Sequence, residues 1–263
     1  MRVRIVQRRN ATLEGRPKQG DNIFSEIRLD NTQRAVATWS VGATAAKVIR
    51  PAAFEIDALE RVTQSSSRHA IGVGCISAAS RVITSAGSQR VADIEIGDKI
   101  LTRDNGFQSV RWIAKLTDRS ALPSLIEISA GAIAEGKPDS NFIVSGNQRL
   151  LITGAQVSES FGASEVLVRA GDLLHLDGFQ EMEDHSGFVA LVFDQHEILR
   201  VNQSWLASLQ PDHTCRSYLS EEQSGDLFRI FPRLKDLPIA RSYPAARPLL
   251  SARFARQVRL NVC

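Results

Sequence analysis

Residues 91–106 read Val91-Ala92-Asp93-Ile94-Glu95-Ile96-Gly97-Asp98-Lys99-Ile100-Leu101-Thr102-Arg103-Asp104-Asn105-Gly106. Apolar and polar residues alternate, and Gly97-Asp98 interrupts the alternation with a turn. Asn105-Gly106 then supplies a pair that tolerates positive φ, the chemistry of a tight hairpin. A period of two is what a half-buried strand needs.

The same texture continues on both sides. Upstream, Gly72-Val73-Gly74-Cys75-Ile76-Ser77 precedes a β-type run over residues 80–84, and Val82-Ile83-Thr84 leads into Ala86-Gly87-Ser88. Downstream come Val110-Arg111-Trp112-Ile113, Leu125-Ile126-Glu127-Ile128, Phe142-Ile143-Val144, Leu150-Leu151-Ile152, Glu165-Val166-Leu167-Val168 and Phe188-Val189-Ala190-Leu191-Val192-Phe193. Short strands at this spacing, with no long helical periodicity, predict a mainly β protein with a compact all-β domain over residues 71–206.

The flanks differ. Residues 2–7 and 34–39 alternate like short strands, residues 14–22 are loop chemistry, and the small polar stretch 63–68 reads as a linker, so residues 1–70 form an N-terminal region of unassigned role. Beyond Trp205, Ser220 stands three residues before Gln223 and predicts a capped helix, after which Pro232, Pro238, Pro244 and Pro248 break up a basic tail. Residues 207–263 are therefore a partly helical C-terminal extension.

Composition narrows the function classes. The 263 residues suffice for a real core, and 43% hydrophobic content argues against disorder throughout. A net charge of +3 from 32 basic and 29 acidic residues is too balanced to call for a nucleic-acid partner. No run approaches the ~18 apolar residues of a membrane span. The N-terminus is basic but lacks an apolar core, so the expectation is a soluble protein, cytoplasmic or exported without an N-terminal signal peptide. Cys75, Cys215 and Cys263 are odd in number and far apart, which suits neither a disulfide framework nor a metal site. His69, His175, His185 and His213 have no metal spacing and are read as surface or loop residues. No metal and no cofactor are expected.

Cys75 carries the chemistry. A thiol directly after a glycine can attack the carbonyl on its own N-terminal side and turn an unreactive amide into a thioester. The bland reading is a small buried hydrophobe, and the blocks around Cys75 outweigh it.

Those blocks are recognisable. Cys75, the strand and turn after it, and Val91-x-x-Ile94-x-Ile96-Gly97-Asp98-Lys99-Ile100-Leu101-Thr102-Arg103-Asp104-Asn105-Gly106 resemble the opening of a Hedgehog/intein (Hint) domain. The bacterial type, in which this stretch ends in something like Val110-Arg111-Trp112-Ile113, is the best match. Ile143-Val144-Ser145-Gly146-Asn147-Gln148-Arg149-Leu150-Leu151 is similar to the second block of that family. Phe193-Asp194-Gln195-His196-Glu197-Ile198-Leu199 is similar to its late block, and Ala245-Ala246-Arg247-Pro248-Leu249-Leu250 to the tail that often follows.

The resemblance implies an all-β horseshoe of two pseudo-symmetric halves, and self-processing chemistry. The leading cysteine attacks the preceding carbonyl in an N-to-S acyl shift, and a second nucleophile resolves the thioester. That nucleophile is water in simple cleavage, a sterol in Hedgehog proteins and a downstream residue in splicing inteins. Carried over, Gly74-Cys75 is the scissile bond and Cys75 the nucleophile. The family places Thr-x-x-His in its second block; here Ser145 and Gln148 stand in those positions. Ser145 keeps a hydroxyl for the scissile backbone, whereas Gln148 has an amide that cannot shuttle protons near neutral pH. Asp104 matches the acidic residue near the nucleophile in Hedgehog-type domains, and the alternative is ordinary turn chemistry. His196 matches a recurrent late histidine, and the alternative is a strand-end histidine bonded to its neighbours. Asn261 has no preceding His and is not directly followed by Cys263, so splicing is not expected.

The resemblance thus implies self-cleavage at Gly74-Cys75 through a thioester, slow or impaired because of Gln148. Water is the expected second nucleophile. No partner is required for processing, no nucleic acid or membrane takes part, and a protein partner stays unassigned. The rival reading is a catalytically inactive Hint fold that serves as a binding module.

Overall fold

In the computed structural model the described residues are 72–260, without 118–120, 123, 185–186, 213–215, 237 and 239–241, together with the backbone of two strands nearer the N-terminus. The chain divides into two units, Met1–Val62 and Thr63–Cys263. In the first, β1 (Glu26–Leu29) and β2 (Ala35–Thr38) form an antiparallel hairpin with Glu26 opposite Thr38. The alternation at 34–39 marks β2; the expected strand at 2–7, the loop at 14–22 and the linker at 63–68 lie outside the described residues.

The second unit is built on two antiparallel sheets. Its strands are β3 (Ile76–Ser77), β4 (Arg81–Thr84), β5 (Gly87–Arg90), β6 (Lys99–Thr102), β7 (Gly106–Ser109), β8 (Trp112–Leu116), β9 (Leu125–Ile128), β10 (Phe142–Ser145), β11 (Arg149–Thr153), β12 (Glu165–Arg169), β13 (Phe179–Met182), β14 (Phe188–Val192), β15 (Ile198–Val201) and β16 (Ser204–Ala207). One sheet runs β13-β9-β10-β3-β14-β8; the other runs β12-β11-β16-β15-β4-β6-β7, with β5 added beside β4. Among the described residues the helices include α1 (Ala155–Phe161), α2 (Glu221–Ile230), α3 (Arg233–Asp236) and α4 (Ala252–Ala255).

Local sequence explains most of these elements. In β8, Trp112, Ala114 and Leu116 are buried on one face, while on the other Ile113 is half-buried against a second cluster and Lys115 is exposed. β14 is buried along its whole length, which is why Phe188–Val192 is an unbroken apolar run. Asn105-Gly106 closes the β6–β7 hairpin, with Thr102 opposite Gly106 and Gly106 at φ 64°. The first part of the 91–106 stretch departs from the strand reading. Val91–Asp93 is a 3-10 turn in which the Ile94 N–H reaches the Val91 carbonyl. The spacing of three puts Val91 and Ile94 in the core at 0% and 1% exposure, while Ile96, at 65%, faces solvent. A second 3-10 turn, Ala170–Asp172, ends the β11–β12 hairpin as the first ends β4–β5. Each turn carries an aspartate at its third position, so one local device recurs in both halves.

The C-terminal residues pack into the same unit. Ser220 and Gln223 form a reciprocal capping box at the start of α2. Leu227, Leu234 and Tyr243 share one hydrophobic cluster with Val73, Cys75, Trp112 and Phe188. The Tyr243 hydroxyl donates to the Phe193 carbonyl at 3.0 Å. Leu249 bridges Leu167 in parallel, so the segment covers the outer edge of β12. Among the described residues no helix is long and apolar enough to cross a membrane.

Candidate active site

β3 lies between β10 and β14, and the pairing of Val144 with Ile76 sets the register. The next rung brings Ser145, the last residue of β10, beside Cys75. The Ser145 N–H donates to the Cys75 carbonyl at 3.0 Å. The Cys75 N–H, which belongs to the Gly74-Cys75 peptide, donates to Ser145 Oγ at 3.0 Å. The same hydroxyl donates to the Val73 carbonyl at 2.6 Å. One serine thus grips the peptide groups on both sides of Gly74.

Gly74 passes close to the 145–148 turn. A Cβ there would stand 3.3 Å from the Asn147 carbonyl oxygen and 3.7 Å from the Gln148 Cα, both backbone atoms with little freedom to retreat. That contact, rather than φ, is what favours glycine at this position. Cys75 is a free, fully buried thiol. Burial pushes it up to about 12, with the Ser145 hydroxyl and backbone pulling weakly the other way. The resting sulfur is therefore a thiol and a poor nucleophile.

Gln148 is 3% exposed, and its Nε2 donates to the Ala207 carbonyl at 2.7 Å and to the Arg149 carbonyl at 3.3 Å. Its backbone N–H closes the turn onto the Ser145 carbonyl. Asn147 Nδ2 donates to the Gly72 carbonyl at 2.8 Å, while its Oδ1 accepts from Arg169 Nε at 3.0 Å. A narrow cleft reaches Gly74 between Asn147, Gln148, Arg149 and Ser208, Leu209, Gln210.

His196 Nδ1 accepts the Ala246 N–H at 2.9 Å, which places the ring proton on Nε2, where it donates to the Ser208 carbonyl at 3.1 Å. Burial, with the charge of Arg149, holds this histidine at about 3, so the ring is neutral. Asp104 forms an ion pair with Arg247 at 2.7 Å, and Arg247 also holds Glu165 at 2.7 Å. The structure thus gathers Gly74, Cys75 and Ser145 at one peptide with the Gln148 backbone beside Gly74, while the Gln148 amide bonds the Ala207 and Arg149 carbonyls, His196 bonds residues 208 and 246, and Asp104 bonds Arg247. His175 is exposed; His69, His185, His213, Cys215 and Cys263 lie outside the described residues.

The Hint domain profile matches residues 74–213, more than half of the chain and starting one residue before Cys75. The chain belongs to the Hint family. Solved structures similar to it include the gp41-1 intein, 12% identical over 51% of this chain and 97% of that one with a TM-score of 0.32. The MchDnaB-1 intein is 11% identical over 51% of this chain and 98% of that one, with a TM-score of 0.34. No curated protein matches the chain.

Within this Hint domain two residues at the site were not singled out by sequence. Asn147 lies inside the second block, and a donor-rich side chain there was a readable signal. Arg169 carried none, because its approach to Asn147 depends on which residue of β11 it faces.

Proposed function

We propose that this Hint domain cleaves its own chain between Gly74 and Cys75, and does so slowly. The observation that carries the reading is the Ser145 hydroxyl on the scissile Cys75 N–H, with the Cys75 thiol hydrogen-bonded to the same serine. Cys75 Sγ attacks the Gly74 carbonyl carbon, the C–N bond breaks, and the thiol proton ends on the released amine. Ser145 Oγ, now the acceptor of that N–H, faces the nitrogen as it becomes a leaving amine, and turning its own proton from the Val73 carbonyl lets it donate there. Water then attacks the thioester, giving a Gly74 carboxylate and restoring the Cys75 thiol. No other molecule is consumed. The reaction is slow because Gln148 is a neutral amide engaged with Ala207, and the thiol is held protonated by burial.

The second reading is a Hint fold kept as a binding module, and the Gln148 bond to Ala207 favours it: the position is used structurally. Intact mass over time, with and without dithiothreitol or hydroxylamine, separates the two. Fragments ending at Gly74 and beginning at Cys75 support cleavage; a folded chain that stays whole supports the module.

A further inference from the structure

Arg149 and Arg169 are direct cross-strand partners in the β11–β12 ladder, with side chains only 7% and 5% exposed. Like charges opposed this way repel, and a buried guanidinium needs partners. Each has its own. Arg149 turns to Asp212 at 2.7 Å and to Gln210. Arg169 has the Asp172 carboxylate at 3.9 Å, but its closest bond goes to a neutral group, Asn147 Oδ1.

That bond has a consequence for the scissile segment. The Asn147 amide could present either its oxygen or its NH2 to the Gly72 carbonyl, and only the NH2 can bond there. A guanidinium has donors alone, so Arg169 Nε–H fixes the amide oxygen on its own side and leaves Nδ2 aimed at Gly72. Residues 72–75 are then held at Gly72 by Asn147, at Val73 by Ser145 and by the Ala121 carbonyl, and at Cys75 by Ser145.

We infer that Arg169 is a positioning residue for Gly74-Cys75: through Asn147 it locks the Gly72 carbonyl and holds the scissile peptide against Ser145. The inference deepens the self-cleavage reading and rests on it for its role in rate, but the clamp itself is measurable without any cleavage. Misplacing a reacting group by an ångström costs on the order of 10²-fold in rate.

Hydrogen exchange on the full chain carrying Cys75→Ala, which cannot form the thioester, reads the clamp directly. Asn147→Asp added to it keeps an acceptor for Arg169 but removes the donor to Gly72. The amides of Val73 and residue 75 should then exchange about tenfold faster, the effect of one ordinary hydrogen bond, while β8 and β14 keep their protection. Arg169→Met should do the same; if that variant does not fold, Arg169→Lys, which keeps the charge but lacks the Nε–H that Asn147 accepts, decides for Arg169, and Asn147→Asp decides for the hold on Gly72. Unchanged exchange at 73 and 75, or acceleration spread equally over both sheets, overturns the inference. In a chain that cleaves, Asn147→Asp should slow release in hydroxylamine by about 10- to 100-fold, and adding Arg169→Met should slow it no further. Independent, multiplying effects would mean that Arg169 does not act through Asn147. A chain that never cleaves contradicts the proposed function and leaves the exchange result to judge the clamp.

Discussion

Gln148→His tests why the reaction is slow. Gln148 is buried, and its Nε2 lies 2.7 Å from the Ala207 carbonyl, so an imidazole of similar reach can occupy the site while retaining one N–H for that bond. With the Cys75 thiol raised to about 12, only about one molecule in 10⁵ carries a thiolate at pH 7. The leaving amine also needs a proton that a glutamine amide cannot give. An imidazole, unlike an amide, can both take and give a proton, and general acid-base assistance is worth roughly 10²–10⁴-fold. A parent chain with a cleavage half-time of about a day should therefore be processed in about 15 minutes or less at the lower bound of that range. Intact mass in hydroxylamine gives the rate, thermal unfolding confirms the fold, and Cys75→Ala in the same background must abolish cleavage. A folded Gln148→His chain that cleaves no faster than its parent refutes the reasoning: proton transfer at this position would not be what limits the reaction.

Other outcomes follow from the same geometry. Ser145→Ala leaves the Cys75 N–H and the Val73 carbonyl without their buried partner, at about 1–3 kcal/mol each, and should lower the melting temperature by several degrees; a melting temperature within a degree of the parent's contradicts the clasp. His196 is held at about 3 against a free value near ~6.5, so it binds its proton in the unfolded chain first, and its contribution to stability is present above pH ~6.5 and lost as pH falls toward 3. Between pH 6 and 4 the parent should lose roughly 1.4 kcal/mol per pH unit more than His196→Gln, measured by denaturant unfolding, and equal slopes would count against the buried neutral ring. Arg247→Ala removes ion pairs whose arginine is about a quarter exposed, and should cost no more than ~1 kcal/mol. A loss of many degrees in thermal unfolding would show that the C-terminal segment docks mainly through that charge.

Much of the fold was readable because its signals are local. The alternation of β6 and β8, the Asn105-Gly106 hairpin and the Ser220 cap each declare themselves within a few residues. Cys75, Ser145 and Gln148 were the positions the family resemblance marks; the register of Ile76 with Val144 sets Cys75 beside Ser145, whereas Gln148, in the turn after β10, brings only its backbone near Gly74. What escaped is non-local or short. Helix α1 spans seven residues between Gly154 and Gly162, too few to show a helical period. Ile94 reads as one more alternating residue until the 3-10 turn puts it three from Val91. The packing of Leu227, Leu234 and Tyr243 beside Cys75, and the pairing of Arg169 with Arg149, depend on contacts between segments far apart in the chain, which no window of sequence reports.

The central claim is that Cys75 opens its own N-terminal peptide bond. The direct measurement is intact mass of the unmodified chain and of Cys75→Ala, followed for days in hydroxylamine under conditions where both stay folded. Slow appearance of a fragment ending in a Gly74 hydroxamate, with its complement beginning at Cys75, and no such pair from Cys75→Ala, is the predicted result. A folded parent chain that remains whole, or equal cleavage in Cys75→Ala, contradicts it.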